Sequence, residues 1–447
     1  MTNDRPLVDL EKALELLQRE TNSLHVVVVG KIKGFLEPEV LRRSLLFVQL
    51  RHPLLNSHIV GPLDHLMFKT EGTDKIPLEV ILNSEPEYWQ TIFVNELNTK
   101  LENKKVLLRA TLIKPTEKST TNYLITRIHH GVIDGISAVH LYSEILSFCQ
   151  KIVSENQIPE FEKLGPPPCL EKIIADYTVE NNTESLISEV EQLIDTLPFE
   201  KYVPYTESLI SELELPIDTL PFEKYVPFKQ RTCGLIQKQL NASLTQQLIQ
   251  RCKSEKVTVQ GAICSAMMLA LAKHLEPEDQ EFYFSCLDAV DMRRRLNSPI
   301  GNEQMTFLVS SLVCFHTVNQ KMSFWDLAKQ STEEIQAKLK TPEIYHRILA
   351  FGEGVNIILE NPEKTISSVF VSNIGKVKIS SNYGQFELEE ISFGASNKMF
   401  GSTFTVFVST FQDQATFNFV YTQPLVSQTV IEKLIKDSME YLVTSCN

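Results

Sequence analysis

Ile128-His129-His130-Gly131-Val132-Ile133-Asp134-Gly135-Ile136-Ser137 sets two adjacent histidines, an aspartate and two glycines at a change of periodicity. Upstream, Asn122 to Ile128 alternates like a strand. Downstream, Gly135 to Val153 carries Val139, Tyr142, Ile145, Leu146 and Cys149 at helical spacing. Neighbouring strand residues point to opposite faces, so one histidine faces a core while the other is turned to a cleft. Gly131 and Gly135 bracket the turn, where backbone freedom is useful. Imidazole is the side chain best suited to general base work near neutral pH. On spacing alone two readings stand: a catalytic base with a carboxylate four residues on, or two histidines hydrogen-bonded at a strand end. A metal site built from His129, His130 and Asp134 is disfavoured, because adjacent histidines on a strand diverge.

Working outward, the upstream half reads as an amphipathic helix around Leu10–Leu17, a strand at His25–Val29 and a helix from Leu36 to Leu50. Glu37 and Glu39 suit the first turn of that second helix. Val106–Ile113 reads as a further strand. Downstream, Thr258 is placed to cap a helix running to Lys273. Strands are expected at Glu281–Ser285, Phe307–Phe315, Ser367–Val371, Thr403–Ser409 and Thr416–Tyr421, with a closing helix at Val430–Leu442. The class is α/β or α+β, with two lobes of similar content.

The 447 residues suffice to bury a core in each lobe. The net charge is −13, but residues 183–228 supply −8 of it, from ten acids and two lysines. That segment is a tandem duplication with a period of 23 residues and 19 of 23 positions identical. With Gly165-Pro166-Pro167-Pro168 just upstream, it reads as a connector, each copy opening as a short acidic helix. The expected division is therefore an N-terminal lobe over 1–178, an acidic connector over 179–230 and a C-terminal lobe over 231–447. An acidic chain argues against nucleic-acid binding. Eight cysteines without a CxxC pair read as free thiols in a reducing compartment, with no structural zinc. The polar stretch Met1–Leu10 does not read as a signal peptide, and no apolar run is long enough to span a membrane. A cytoplasmic monomer is the expectation. His52 and His58 are expected to pack or cap, and Met267 and Met268 to lie in a core.

His-His-x-x-x-Asp-Gly, here His129 to Gly135, resembles the signature of the chloramphenicol acetyltransferase-like superfamily, which includes condensation domains, alcohol acetyltransferases and polyketide-associated acyltransferases. Four further segments resemble family segments: Gly34 to Leu41 leading to Arg51-His52-Pro53-Leu54-Leu55, Val257 to Ala262, Val290-Asp291-Met292-Arg293-Arg294-Arg295-Leu296, and Ser372-Asn373-Ile374-Gly375. The Asp-Phe-Gly-Trp-Gly motif of plant members is absent. The resemblance implies two such lobes in a V-shaped pseudo-dimer with a central tunnel. It implies acyl transfer from a thioester, of coenzyme A or of an acyl carrier protein's phosphopantetheine, to a small-molecule alcohol, with no cofactor and no metal. Amide formation with an amine acceptor and a non-catalytic scaffold are the alternatives, and natural product biosynthesis is the setting. By resemblance His130 is the catalytic base, His129 is structural, and Asp134 pairs with an arginine, for which Arg293 is the candidate. Gly135 lets the helix begin close to the tunnel wall. Ser137 and Asn373 are candidates for substrate binding, a structural turn being the other reading of Asn373.

Overall fold

The computed structural model describes residues 4–116, 120–155, 160–167, 169–171, 173–174, 217–275, 279–296 and 300–446. The first repeat copy and the acidic helix expected in each copy lie outside them. The strands are β1 (Arg5–Pro6), β2 (His25–Lys33), β3 (His58–Val60), β4 (Met67–Lys69), β5 (Leu78–Leu82), β6 (Leu108–Lys114), β7 (Thr121–His129), β8 (Thr232–Leu240), β9 (Phe282–Asp291), β10 (Val309–Val318), β11 (Val369–Lys376), β12 (Asn382–Tyr383), β13 (Phe386–Ala395), β14 (Phe404–Phe411) and β15 (Gln414–Gln423). The helices used below are α1 (Asp9–Thr21), α2 (Pro38–Arg51), α3 (Tyr88–Asn98), α4 (Gly135–Glu155), α5 (Ala242–Ser254), α6 (Val259–Leu275), α7 (Phe324–Lys338), α8 (Glu343–Leu349), α9 (Phe351–Glu360) and α10 (Gln428–Thr444).

Two six-stranded sheets carry the fold, ordered β12-β13-β2-β7-β6-β5 and β10-β9-β11-β14-β15-β8. In the first, β2 is buried along Val26 to Val29 and pairs antiparallel with both β7 and β13. Its run of valines suits a strand covered on both faces. In the second, β11 lies between β9 and β14, parallel to both. Helix α6 is buried continuously from Gly261 to Ala272, Met267 and Met268 included. Such a helix is apolar all round because other elements surround it. Thr258 caps it, its Oγ1 accepting the Gly261 N–H at 3.0 Å. Pro38 starts α2, where its missing N–H costs nothing.

Two details depart from a division by position along the chain. Strands β12 and β13, drawn from the 231–447 stretch, complete the first sheet. And residues 217–228, the end of the acidic repeat, are seated mainly on the second sheet, with Phe228 packed beside Ala13 and Leu17 of α1. Asp218 grips the Tyr283 backbone with its own N–H, which donates to the Tyr283 carbonyl at 2.8 Å, and with its carboxylate, which accepts the Tyr283 N–H at 2.7 Å. Leu220 is 1% exposed. Glu223 accepts the Ser427 N–H at 2.8 Å, beside the start of α10. Composition marked the segment as acidic, but Leu220, Val226 and Phe228 are what anchor its end.

Candidate active site

Strand β7 ends at His129, a single 3-10 turn covers His130–Val132, and α4 begins at Gly135. The turn is held by its own side chains. Asp134 Oδ1 accepts the Ser137 N–H and the Ser137 hydroxyl, both at 3.0 Å, while Ser137 Oγ accepts the Asp134 N–H at 3.1 Å. This reciprocal cap satisfies donors that a helix start leaves open. Ser137 is fully buried in this cap. The other Asp134 oxygen, Oδ2, lies 2.6 Å from Arg293 Nη1 and accepts the Leu308 N–H at 3.1 Å. Asp134 and Arg293 are each 1% exposed. Burial alone pushes the Asp134 carboxyl up. The Arg293 charge and hydrogen bond, with the Ser137 donors, outweigh that and hold it below the ordinary value.

The two histidines face different surroundings. His129 is buried, its Nδ1 accepts the Gly131 N–H at 3.0 Å, and its Nε2 lies 2.9 Å from Glu15 Oε2. With Nδ1 accepting, Nε2 carries the proton and donates to Glu15. Arg19 Nε at 2.5 Å also holds that carboxylate. His130 Nδ1 lies 2.7 Å from the Ile133 carbonyl oxygen, which only accepts, so Nδ1 is the protonated nitrogen and Nε2 keeps its lone pair. Its ring meets Phe307 edge-on, with centroids 4.9 Å apart. Burial lowers the His130 pKa below the usual histidine value.

His130 borders a cavity of about 190 Å³ whose walls come from α4, β9, β10, β11 and β13. Asp134, Gly135, Arg293 and Asn373 also line it, among a majority of apolar groups such as Val290, Phe307 and Phe393. A Cβ on Gly135 would come within 2.8 Å of the Phe393 ring and 3.2 Å of Ile374, so only glycine lets α4 start this close to β11 and β13. Asn373 Oδ1 accepts the Gly375 N–H at 2.9 Å, and β11 has a register irregularity between Asn373 and Lys376. His52 lies 2.7 Å from Glu144, and His58 2.8 Å from the Thr73 hydroxyl; the two sit apart from the site. Glu15, Leu308 and Phe307 were not singled out by sequence. For Glu15 the signal was its position: Glu11, Glu15 and Gln18 form one buried stripe of α1, and a buried acid needs a partner. A further polar group sits in the C-terminal core, where Cys264, Cys286 and Asp288 converge, with Cys264 Sγ 3.3 Å and Gln260 Nε2 2.5 Å from Asp288 Oδ1.

Residues 12–164 match the family described as the condensation domain, and residues 230–422 match the phthiocerol/phthiodiolone dimycocerosyl transferase C-terminus. The chain belongs to the condensation-domain acyltransferase superfamily. Its fold is similar to that of polyketide synthase associated protein 5 from Mycobacterium tuberculosis. That match has 16% identity and a TM-score of 0.71, over 99% of this chain and 98% of that one. It is also similar to the trichothecene 15-O-acetyltransferase TRI3 from Fusarium sporotrichioides, with 13% identity and a TM-score of 0.74, over 99% and 96%. Among curated proteins it matches wax ester synthase/diacylglycerol acyltransferase 5 of Arabidopsis thaliana, 23% identical over 176 residues. That match spans 35% of this chain and 33% of that protein. The superfamily's relatives support a transferase. Among the described residues, no helix is long and apolar enough to cross a membrane.

Proposed function

We propose that this superfamily member transfers an acyl group from a thioester of coenzyme A or of a carrier's phosphopantetheine to an alcohol, with His130 as general base. The observation that carries the reading is the His130 Nδ1 contact with the Ile133 carbonyl, which leaves Nε2 unprotonated beside the cavity. In the reaction the acceptor oxygen adds to the thioester carbonyl as its proton passes to Nε2. The tetrahedral intermediate then collapses, the carbon–sulfur bond breaks, and Nε2 returns the proton to the departing thiolate. The products are an ester and a free thiol. The Asn373 amide is a candidate to donate to the acceptor or to the developing oxyanion. Asp134 and Arg293 act by fixing the turn. A thioester carbonyl is already reactive, so base catalysis and positioning suffice and no metal is invoked.

The test is thiol release and product mass with acyl-coenzyme A and acyl-carrier donors, across alcohol and amine acceptors. His130→Ala should lower turnover by ~10²–10⁴-fold while circular dichroism stays unchanged. The neutral imidazole is the active form and burial lowers its pKa, so kcat/KM should hold as pH falls through ordinary histidine values and drop only below them. An acid limb above the usual histidine value, or an unaffected His130→Ala enzyme, refutes the assignment. Amide products alone would move the acceptor from alcohol to amine.

A further inference from the structure

Beyond the His130 cavity lies a second one of about 130 Å³, and Leu287, Ser311, Arg347, Phe351, Met399 and Phe400 border both. The far walls of the second cavity come from β9, β10 and α9, with Val313, Phe315, Gly354, Val355 and Ile358 among them. Two of its three polar side chains have partners outside it, and Ser311 and Arg347 stand at the boundary with the first cavity. The Ser285 hydroxyl accepts the Ser368 N–H at 3.2 Å, and Arg347 Nε donates to Glu343 at 2.8 Å. Past that boundary a guest meets Val313, Phe315, Val355, Ile358 and Ile366, walls that disfavour charged or amide-bearing groups. Of the parts of a thioester reaction, the pantetheine arm carries amides and the acceptor carries the nucleophile. The hydrocarbon of the acyl group suits such walls; the tail of an apolar alcohol would suit them too, and a chain-length series on the donor separates the two.

Gly354 stands within α9, where glycine weakens a helix relative to alanine. Here nothing local asks for it. Its φ is not in the left-handed region, and a Cβ built on it meets no atom within 4 Å. What the missing side chain leaves is open space on the cavity wall. We infer that the second cavity is an acyl compartment for an apolar chain entering from beside His130, and that Gly354 sets the length or bulk of chain admitted. The inference rests on the acyl-transfer reading above and adds to it the substrate class and a specificity-determining position.

The test compares the parent with Gly354→Leu, Gly354→Ala and Val313→Phe, the last filling the same space from the opposite wall. Acetyl, hexanoyl and decanoyl thioesters of coenzyme A are the probes, read by kcat/KM and by calorimetric binding. Each methylene kept out of the compartment should cost roughly fourfold. Gly354→Leu and Val313→Phe should therefore lose tenfold or more on decanoyl while acetyl changes little. Gly354→Ala should fold at least as well as the parent and shift the limit slightly. A uniform loss across all three donors, or an unchanged chain-length profile, overturns the inference. Should no donor be turned over, binding decides: decanoyl binding weakened in both filling variants keeps the compartment and sinks only the transfer reading. Equal binding in all four proteins sinks the compartment.

Discussion

Replacing Asp134 with asparagine and Arg293 with methionine, singly and together, measures how much of the catalytic turn rests on one buried ion pair. The carboxylate receives four hydrogen bonds: Arg293 Nη1 at 2.6 Å and the Leu308 N–H at 3.1 Å on Oδ2, and the two Ser137 donors at 3.0 Å on Oδ1. Asparagine keeps an oxygen toward Ser137 but turns an amide toward Arg293 and Leu308. The loss is therefore that of one partner of a buried pair, ~3–5 kcal/mol. With the Ser137 cap retained, the lower end applies. Methionine at 293 leaves the carboxylate with three donors, and it removes weaker bonds from Arg293 to Asp291 at 3.4 Å and to the Gln304 carbonyl at 3.5 Å. A cost of about 3 kcal/mol is expected there too. The two should couple by about 2 kcal/mol, so the double variant costs roughly 4 kcal/mol rather than 6. Urea unfolding followed by circular dichroism gives these values. Because the folded pKa of Asp134 is depressed, its contribution is present above the unfolded carboxylate pKa and fades as pH falls through the folded one. The gap between parent and Asp134→Asn should therefore close in acid. Turnover should fall with stability, since the turn that aims His130 is loosened. Strict additivity, or a gap independent of pH, refutes the coupling.

Three other outcomes are expected. His129→Ala removes one of the three donors to the buried Glu15 carboxylate, leaving Arg19 and Asn103, and should cost stability first, with His129→Asn recovering part of it in a thermal melt; a turnover loss equal to that of His130→Ala in a stably folded protein would contradict this. Activity should survive dialysis against a strong chelator. A metal measured by elemental analysis at one per chain and tracking activity would overturn that, and Cys264, Cys286 and Asp288 would be the first place to look. Deleting residues 206–228 should leave a folded enzyme within a few-fold of the parent, any change favouring acidic carrier donors at low salt; insoluble protein would show that the second copy cannot be replaced by the first.

The strands and helices flanking His129–Gly135 were legible because their periodicity is strong and local. The Thr258 cap was legible for the same reason, as was the run of valines in β2. What escaped depends on residues far apart in the chain. Strand β13 joins β2 across some 360 positions, and nothing in Phe386–Ala395 announces which sheet it will enter. Glu15 meets His129 through tertiary packing, so a helix reading could place Glu15 on a stripe but not name its partner. Asp134 has bonds of both ranges. Its cap to Ser137 lies within one turn, a local bond that the sequence reading did not draw. Its bond to the Leu308 N–H comes from a strand start on the other sheet, 174 residues away.

The docked end of the acidic repeat has a genetic consequence. The contacts of Asp218, Leu220, Glu223 and Val226 fall within Asp-Thr-Leu-Pro-Phe-Glu-Lys-Tyr-Val-Pro, and the same ten residues occur intact as Asp195 to Pro204. The chain thus encodes in tandem two copies of the segment that this surface receives. A mutational scan should score Leu220 as tolerant despite its burial, because Leu197 offers the same side chain in the same context. Intolerance should emerge only when both leucines are changed together. Selection on either copy alone is correspondingly weak, and the four positions at which the copies already differ, Val190/Leu213, Gln192/Leu215, Leu193/Pro216 and Tyr205/Phe228, all fall outside those ten residues.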